Sequence, residues 1–98
     1  MVHLKLIKKE NEALLYIDGR IDSNSAPDLE KKLMALTPRF DRITLDLARV
    51  SYVSSAGLRV LKKLRLAMRD KGGCELRNVS DGVIDVMRAT GFDRVFRL

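Results

Sequence analysis

Two adjacent serines, Ser54 and Ser55, are the side chains best placed to do chemistry here, because they stand where a strand-like run gives way to a helical pattern. To act as a nucleophile, either hydroxyl would need a base and an orienting group that meet it in space. The one histidine, His3, belongs to the first alternating segment and reads as a solvent-facing strand residue with no chemical partner. The one cysteine, Cys74, has no second thiol and no neighbouring histidine, which argues against a zinc site and rules out an internal disulfide. Asp18, Asp22 and Asp46 fall at the ends of strand-like runs, where the capping of turns accounts for them more simply than a metal does. Gly57, Gly72 and Gly73 match neither a dinucleotide fingerprint nor a P-loop. No catalysis, cofactor or metal is expected.

A hydroxyl at a helix start has two other uses. It can accept a hydrogen bond from an amide of the first turn as an N-cap, and either serine could do so. It can also carry a phosphate, whose dianion would face the positive end of the helix dipole and its free amides. Such a phosphate is tolerated by the domain and presents about two negative charges to a neighbour. At this point cap and switch both remain open.

The elements that position this corner follow from periodicity. Val2, Leu4 and Leu6 alternate with His3 and Lys5, as a half-buried strand requires, and Lys9 to Glu12 reads as a hairpin turn. Ala13 to Ile17 is a buried strand bounded by Asp18-Gly19, and Gly19 to Asn24 reads as a loop. Ser25 is the expected N-cap of the first helix, with Asp28 at capping-box spacing and Leu29, Leu33 and Leu36 on one face. Ile43, Leu45 and Leu47 mark the next strand, followed by a short turn into Ser54. Beyond the serines, Gly57, Val60, Leu61, Leu64, Ala67 and Met68 recur at helical spacing and form the expected core face. Leu66 then points away from the core, among Arg59, Lys62 and Lys63. Cys74 to Val79 is a strand, Ser80 opens a third helix, and Phe92 to Leu98 is expected as a closing strand or extended tail. The predicted fold is one α/β domain spanning residues 1–98, with a mixed sheet, helices packed against it, and the order β-β-α-β-α-β-α-β.

Charge is concentrated on one element. Of a formal net charge of +6, the segment from Arg59 to Lys71 supplies +5, from Arg59, Lys62, Lys63, Arg65, Arg69 and Lys71 against Asp70. A local patch implies either a local partner or a solvated helix face. The lack of tryptophan and of any nucleic-acid-binding motif argues against direct DNA or RNA contact. No apolar run approaches the roughly 18 residues that span a bilayer. MVHLKLIKKE has no signal-peptide core, so a cytoplasmic, reducing location is expected.

Three stretches together resemble the STAS domain, and most closely its single-domain anti-sigma factor antagonists. The first is Asp46-Leu47 with Val50, Tyr52-Val53 and Ser54-Ser55-Ala56-Gly57-Leu58. The second is Gly19-Arg20-Ile21-Asp22-Ser23, and the third is Gly91-Phe92-Asp93-Arg94-Val95-Phe96. The resemblance implies a partner-switching regulator. Such a protein binds an anti-sigma factor that is also a serine kinase, is released when that kinase phosphorylates it with ATP, and is restored by a serine phosphatase. Aligned on Gly57-Leu58, the family's acceptor falls on Ser55. The preceding residue, often aspartate in the family, is Ser54 here and an alternative acceptor. The implied partner surface takes Asp22, Ser23 and Asn24 from the loop beside the acceptor, and Ser54, Ala56, Gly57 and Leu58 from the corner. Charge and helical spacing, and not the resemblance, add Arg59, Lys62, Lys63 and Leu66 on the outer face of the helix as candidate contacts. STAS domains also serve without phosphorylation in transporters and other membrane-associated complexes, where the basic helix would be the docking element.

Overall fold

Alternation with a period of two builds the sheet. In the computed structural model, which describes residues 2–96, β1 (His3–Lys9) and β2 (Glu12–Ile21) form an antiparallel hairpin. β3 (Arg42–Val53) and β4 (Gly73–Arg77) follow in parallel, giving the strand order β1-β2-β3-β4. Register sets Leu6, Leu15, Leu45 and Leu76 across one face, and Lys5, Tyr16, Asp46 and Arg77 across the other. The first of these faces carries the core, with Leu15, Ile17, Ile43 and Leu45 almost wholly buried.

Helices supply the cover. α1 (Ala26–Met34) buries Ala26, Leu29 and Leu33, and α2 (Ser55–Met68) buries Gly57, Leu58, Val60, Leu61, Leu64 and Met68. Each such leucine removed from water is worth about 1.5–3 kcal/mol. α3 (Asp81–Thr90) adds Val83 and Met87. Ala67, expected on the core face of α2, is exposed, because the buried stripe narrows to Leu61, Leu64 and Met68 in the last turns. Cys74 is buried in β4, and burial pushes its thiol up to about 12, so it holds its proton at neutral pH. Among the described residues no helix is long and apolar enough to cross a membrane.

The element order is β-β-α-β-α-β-α-α, which corrects the expected closing strand. Phe92–Phe96 form a short helix, α4, that follows the left-handed Gly91 (φ 80°) at the end of α3. Phe92, Val95 and Phe96 stand at i, i+3 and i+4, a helical spacing. Phe96 is buried, with the Arg65 guanidinium 5.4 Å from its ring centroid. Arg97 and Leu98, the end of the expected strand, lie outside the described residues. Two segments expected to be irregular are strand instead. Gly19 to Ile21 belong to β2, and β3 runs unbroken to Val53, the pair absorbing register shifts between Tyr16 and Arg20.

Asp46 is the one buried charged side chain among the described residues, on the sheet face away from α2. Its carboxylate accepts from the Ala48 amide at 3.0 Å, from Arg77 Nε at 2.9 Å and from Asn78 Nδ2 at 2.9 Å. Burial alone would push this carboxyl up, but the Ala48 amide, Arg77 and Asn78 outweigh it and hold it below the ordinary value. The group therefore ties β3 to β4. Asp46→Ala should lower unfolding stability by about 1–2 kcal/mol in urea melts at pH 7, since it removes the acceptor of the Ala48 amide, Arg77 and Asn78, while the exposed Arg77 and Asn78 side chains turn to water. Because the folded carboxyl titrates below the unfolded one, its contribution is present above the ordinary value of 3.8 and lost as pH falls through the lower folded value. An acid titration of stability should lose this component in Asp46→Asn.

Candidate protein-interaction site at the start of the second helix

The end of β3 and the start of α2 are fixed by backbone bonds before any side chain contributes. The Ser54 amide donates to the Ile21 carbonyl at the end of β2 at 2.8 Å, and the Ser54 carbonyl accepts from the Leu58 amide at 2.9 Å. Ser54 holds an extended conformation (φ −80°, ψ 171°), and its Oγ accepts from the Gly57 amide at 3.1 Å. Ser54 is thus the cap, and the two serines are no longer equivalent. Ser55 is the first helical residue and is exposed, and its hydroxyl makes no hydrogen bond among the described residues. No acidic side chain occupies the first turn to answer the free amides there.

Gly57 explains how the helix comes so close to the sheet. A Cβ at this position would stand 2.6 Å from Ile21 Cγ2, 2.9 Å from Val53 Cγ1 and 3.0 Å from the Ile21 carbonyl oxygen. Leu58 is buried beside it. These two residues, expected in the partner surface, are buried in the chain and support the corner.

The loop from Ile21 into α1 is built around Asp22. Its Oδ1 accepts from the Asn24 amide at 2.9 Å and the Ser25 amide at 3.0 Å, while its carbonyl accepts from the Ala26 amide. The Ser25 amide is the main cause that holds this carboxyl below its ordinary value, with burial opposing and Asn24, the Ser25 hydroxyl and Arg20 assisting. Ser25 itself makes no side-chain cap bond; its hydroxyl donates to the Arg20 carbonyl at 2.8 Å and accepts from the Asp22 amide at 2.9 Å. The expected Ser25 cap is therefore replaced by a turn centred on Asp22, and Asp28 pairs with Lys32 at 3.0 Å. With Asp22 consumed in the turn, Ser23 and Asn24 are left exposed.

A groove of about 340 Å³ runs between the starts of α1 and α2, with Ser23, Pro27, Glu30, Ala56, Arg59 and Lys63 among its lining residues. It brings Ser23, Ala56, Arg59 and Lys63 onto one surface. Asn24 lines a different hollow, with Val2, His3 and Asp28, and so parts from Ser23. Lys62 and Leu66 stay exposed on the outer side of α2. Two further contributors carry no sequence signal. Glu30 reaches Lys63 at 3.2 Å, and Arg20 stacks on Tyr52, 4.6 Å from guanidinium to ring. Only the parallel pairing of Arg20 with Tyr52 brings those two together.

The match to the STAS domain profile extends over residues 3–98. The chain belongs to the STAS family. An anti-sigma-B factor antagonist from Bacillus subtilis (strain 168) is 31% identical over 91 residues, covering 92% of this chain and 84% of that protein. Among solved structures, an anti-sigma factor antagonist from Mycobacterium paratuberculosis superposes with a TM-score of 0.87 at 21% identity, covering 98% of this chain and 83% of that one. Phosphorylated SpoIIAA from Bacillus superposes with a TM-score of 0.73 at 16% identity, over 94% of this chain and 86% of that one. These structures share the STAS fold with this chain.

Stability should separate the members of this STAS corner. Gly57→Ala should cost about 1–3 kcal/mol, since the β2 backbone cannot retreat. Ser54→Ala should cost about 1 kcal/mol through the lost cap, and Ser55→Ala should stay within about 0.5 kcal/mol. Urea melts of the three variants check the order.

Proposed function

We propose that this STAS domain is an anti-sigma factor antagonist that binds an anti-sigma factor while Ser55 is unmodified and is released when Ser55 is phosphorylated. The observation that carries the proposal is the division between the serines. Ser54 takes the cap bond from the Gly57 amide, which leaves the Ser55 hydroxyl exposed and uncommitted at the helix start. A phosphate there would sit against the free amides and positive dipole end of α2, so the fold tolerates it. To a docked partner the same phosphate is a new charge of about −2 in the contact surface. Release then needs no refolding. The exposed Ser23 beside the groove, with Ala56 and Arg59, frames the acceptor on the side of α1.

In this scheme the kinase activity belongs to the anti-sigma factor, the reversal to a serine phosphatase, and no catalysis to this chain. A relative named an anti-sigma-B factor antagonist supports the role, and a fold neighbour described in a phosphorylated form supports the chemistry. Incubated with its cognate anti-sigma factor kinase and ATP, the wild type and Ser54→Ala should each gain one phosphate by intact mass, and Ser55→Ala none. Full incorporation into Ser55→Ala would move the acceptor elsewhere and overturn the assignment.

A further inference from the structure

The outer face of α2 has a pattern that the corner alone does not use. Ser55, Arg59, Lys62, Leu66 and Arg69 follow one another at intervals of four, three, four and three, so they fall in one line along α2 and its C-cap. The line faces away from the buried stripe of Leu61, Leu64 and Met68. At about 1.5 Å per residue, Leu66 lies roughly 16 Å along the helix from Ser55. Its 51% exposure is the highest among the exposed large hydrophobic side chains described.

The cations beside it divide by what answers them. Lys63 is turned to Glu30, and Arg65 is turned inward to the Cys74 carbonyl at 3.1 Å and over the Phe96 ring. Arg69 reaches only its neighbour Asp70, at 4.0 Å with both side chains largely in solvent, a pair worth little. Arg59 and Lys62 have no carboxylate within ion-pair distance among the described residues. The result is an uncompensated basic line with a single apolar side chain in it.

We infer that this line, Arg59, Lys62, Leu66 and Arg69, docks on an acidic protein surface that offers an apolar pocket to Leu66, and that the surface belongs to the anti-sigma factor that reads Ser55. The identity of the partner rests on the proposed function. Uncompensated cations select an acidic counterpart and speed its encounter, while a leucine sunk in a pocket supplies affinity that does not fade with salt. A lipid surface fits less well. Helices that lie in a bilayer interface insert a broad apolar face, and the apolar face of α2 is already spent on the core. The line also shares its axis with the acceptor. A phosphate on Ser55 would place about −2 at its head, one turn from Arg59, and weaken the attraction for an acidic partner by the same electrostatics.

The test measures affinity of the unmodified chain for its anti-sigma factor at low and high salt, for wild type, Lys62→Glu/Arg69→Glu and Leu66→Ala, with far-UV circular dichroism as the control for folding. Wild-type affinity should fall with salt. The charge-reversed variant should bind at least about tenfold more weakly at low salt and lose most of the salt dependence. Leu66→Ala should lose about tenfold at both salt concentrations. Phosphate uptake at Ser55 in the wild type is scored in parallel. If both variants bind as the wild type does while Ser55 is still modified, the docking line is wrong and the proposed function stands. If the wild type neither binds the anti-sigma factor nor is modified, both fall. Salt-sensitive capture by phosphatidylserine vesicles with no effect of the variants on anti-sigma factor binding reassigns the line to lipid and overturns the inference.

Discussion

The bond from the Ser54 amide to the Ile21 carbonyl, at 2.8 Å, joins the end of β2 to the start of α2, and the site depends on that junction. It brings the turn that follows Ile21 to the side of the helix that begins at Ser55. Gly57 permits the approach, because a side chain there would meet Ile21 and Val53 at less than van der Waals distance. Leu58 then anchors the first turn in the core. The start of α2 is thus positioned by contacts that are themselves buried or backbone, while the loop beside it is held by the Asp22 carboxylate.

Under the proposed function, that arrangement separates two tasks that adjacent serines could have shared. Capping requires an extended backbone and a hydroxyl turned back toward the helix, as Ser54 has. A modifiable hydroxyl must be accessible and free of internal partners, as Ser55 is. Removing the Ser54 hydroxyl removes the cap bond and leaves Ser55 untouched; removing the Ser55 hydroxyl removes no hydrogen bond within the described residues. On the far side of the sheet, Asp46 does comparable structural duty, tying β3 to β4 so that the strand leading to the corner is held at its middle.

Much of this is legible in the residues. Period-two alternation marks β1 and the centre of β3, a continuous apolar run from Ala13 to Ile17 marks β2, and the spacing of Val60, Leu61 and Leu64 places α2 and its outward Leu66. The strand ends are not legible, because the register shifts between Tyr16 and Arg20 break the alternation in the segments they lengthen. The closing helix escapes a periodicity argument because five residues carry little of it, and the contact of Phe96 with Arg65 is remote in sequence. Ser25 reads as a cap by type and spacing, yet its backbone is already helical and its hydroxyl is turned back to the Arg20 carbonyl and the Asp22 amide, away from the first turn. At the corner, sequence cannot choose between Ser54 and Ser55, since either hydroxyl suits a helix start. Backbone conformation decides which one is the cap.

In the proposed switch, charge placed on Ser55 ends partner binding without altering the domain. The direct measurement compares the anti-sigma factor affinity of the unmodified chain with that of a chain carrying phosphoserine at position 55, at one ionic strength, with thermal unfolding of both. Affinity should fall at least about a hundredfold, with an unchanged or slightly raised melting temperature. Equal affinities for the two forms would contradict the switch.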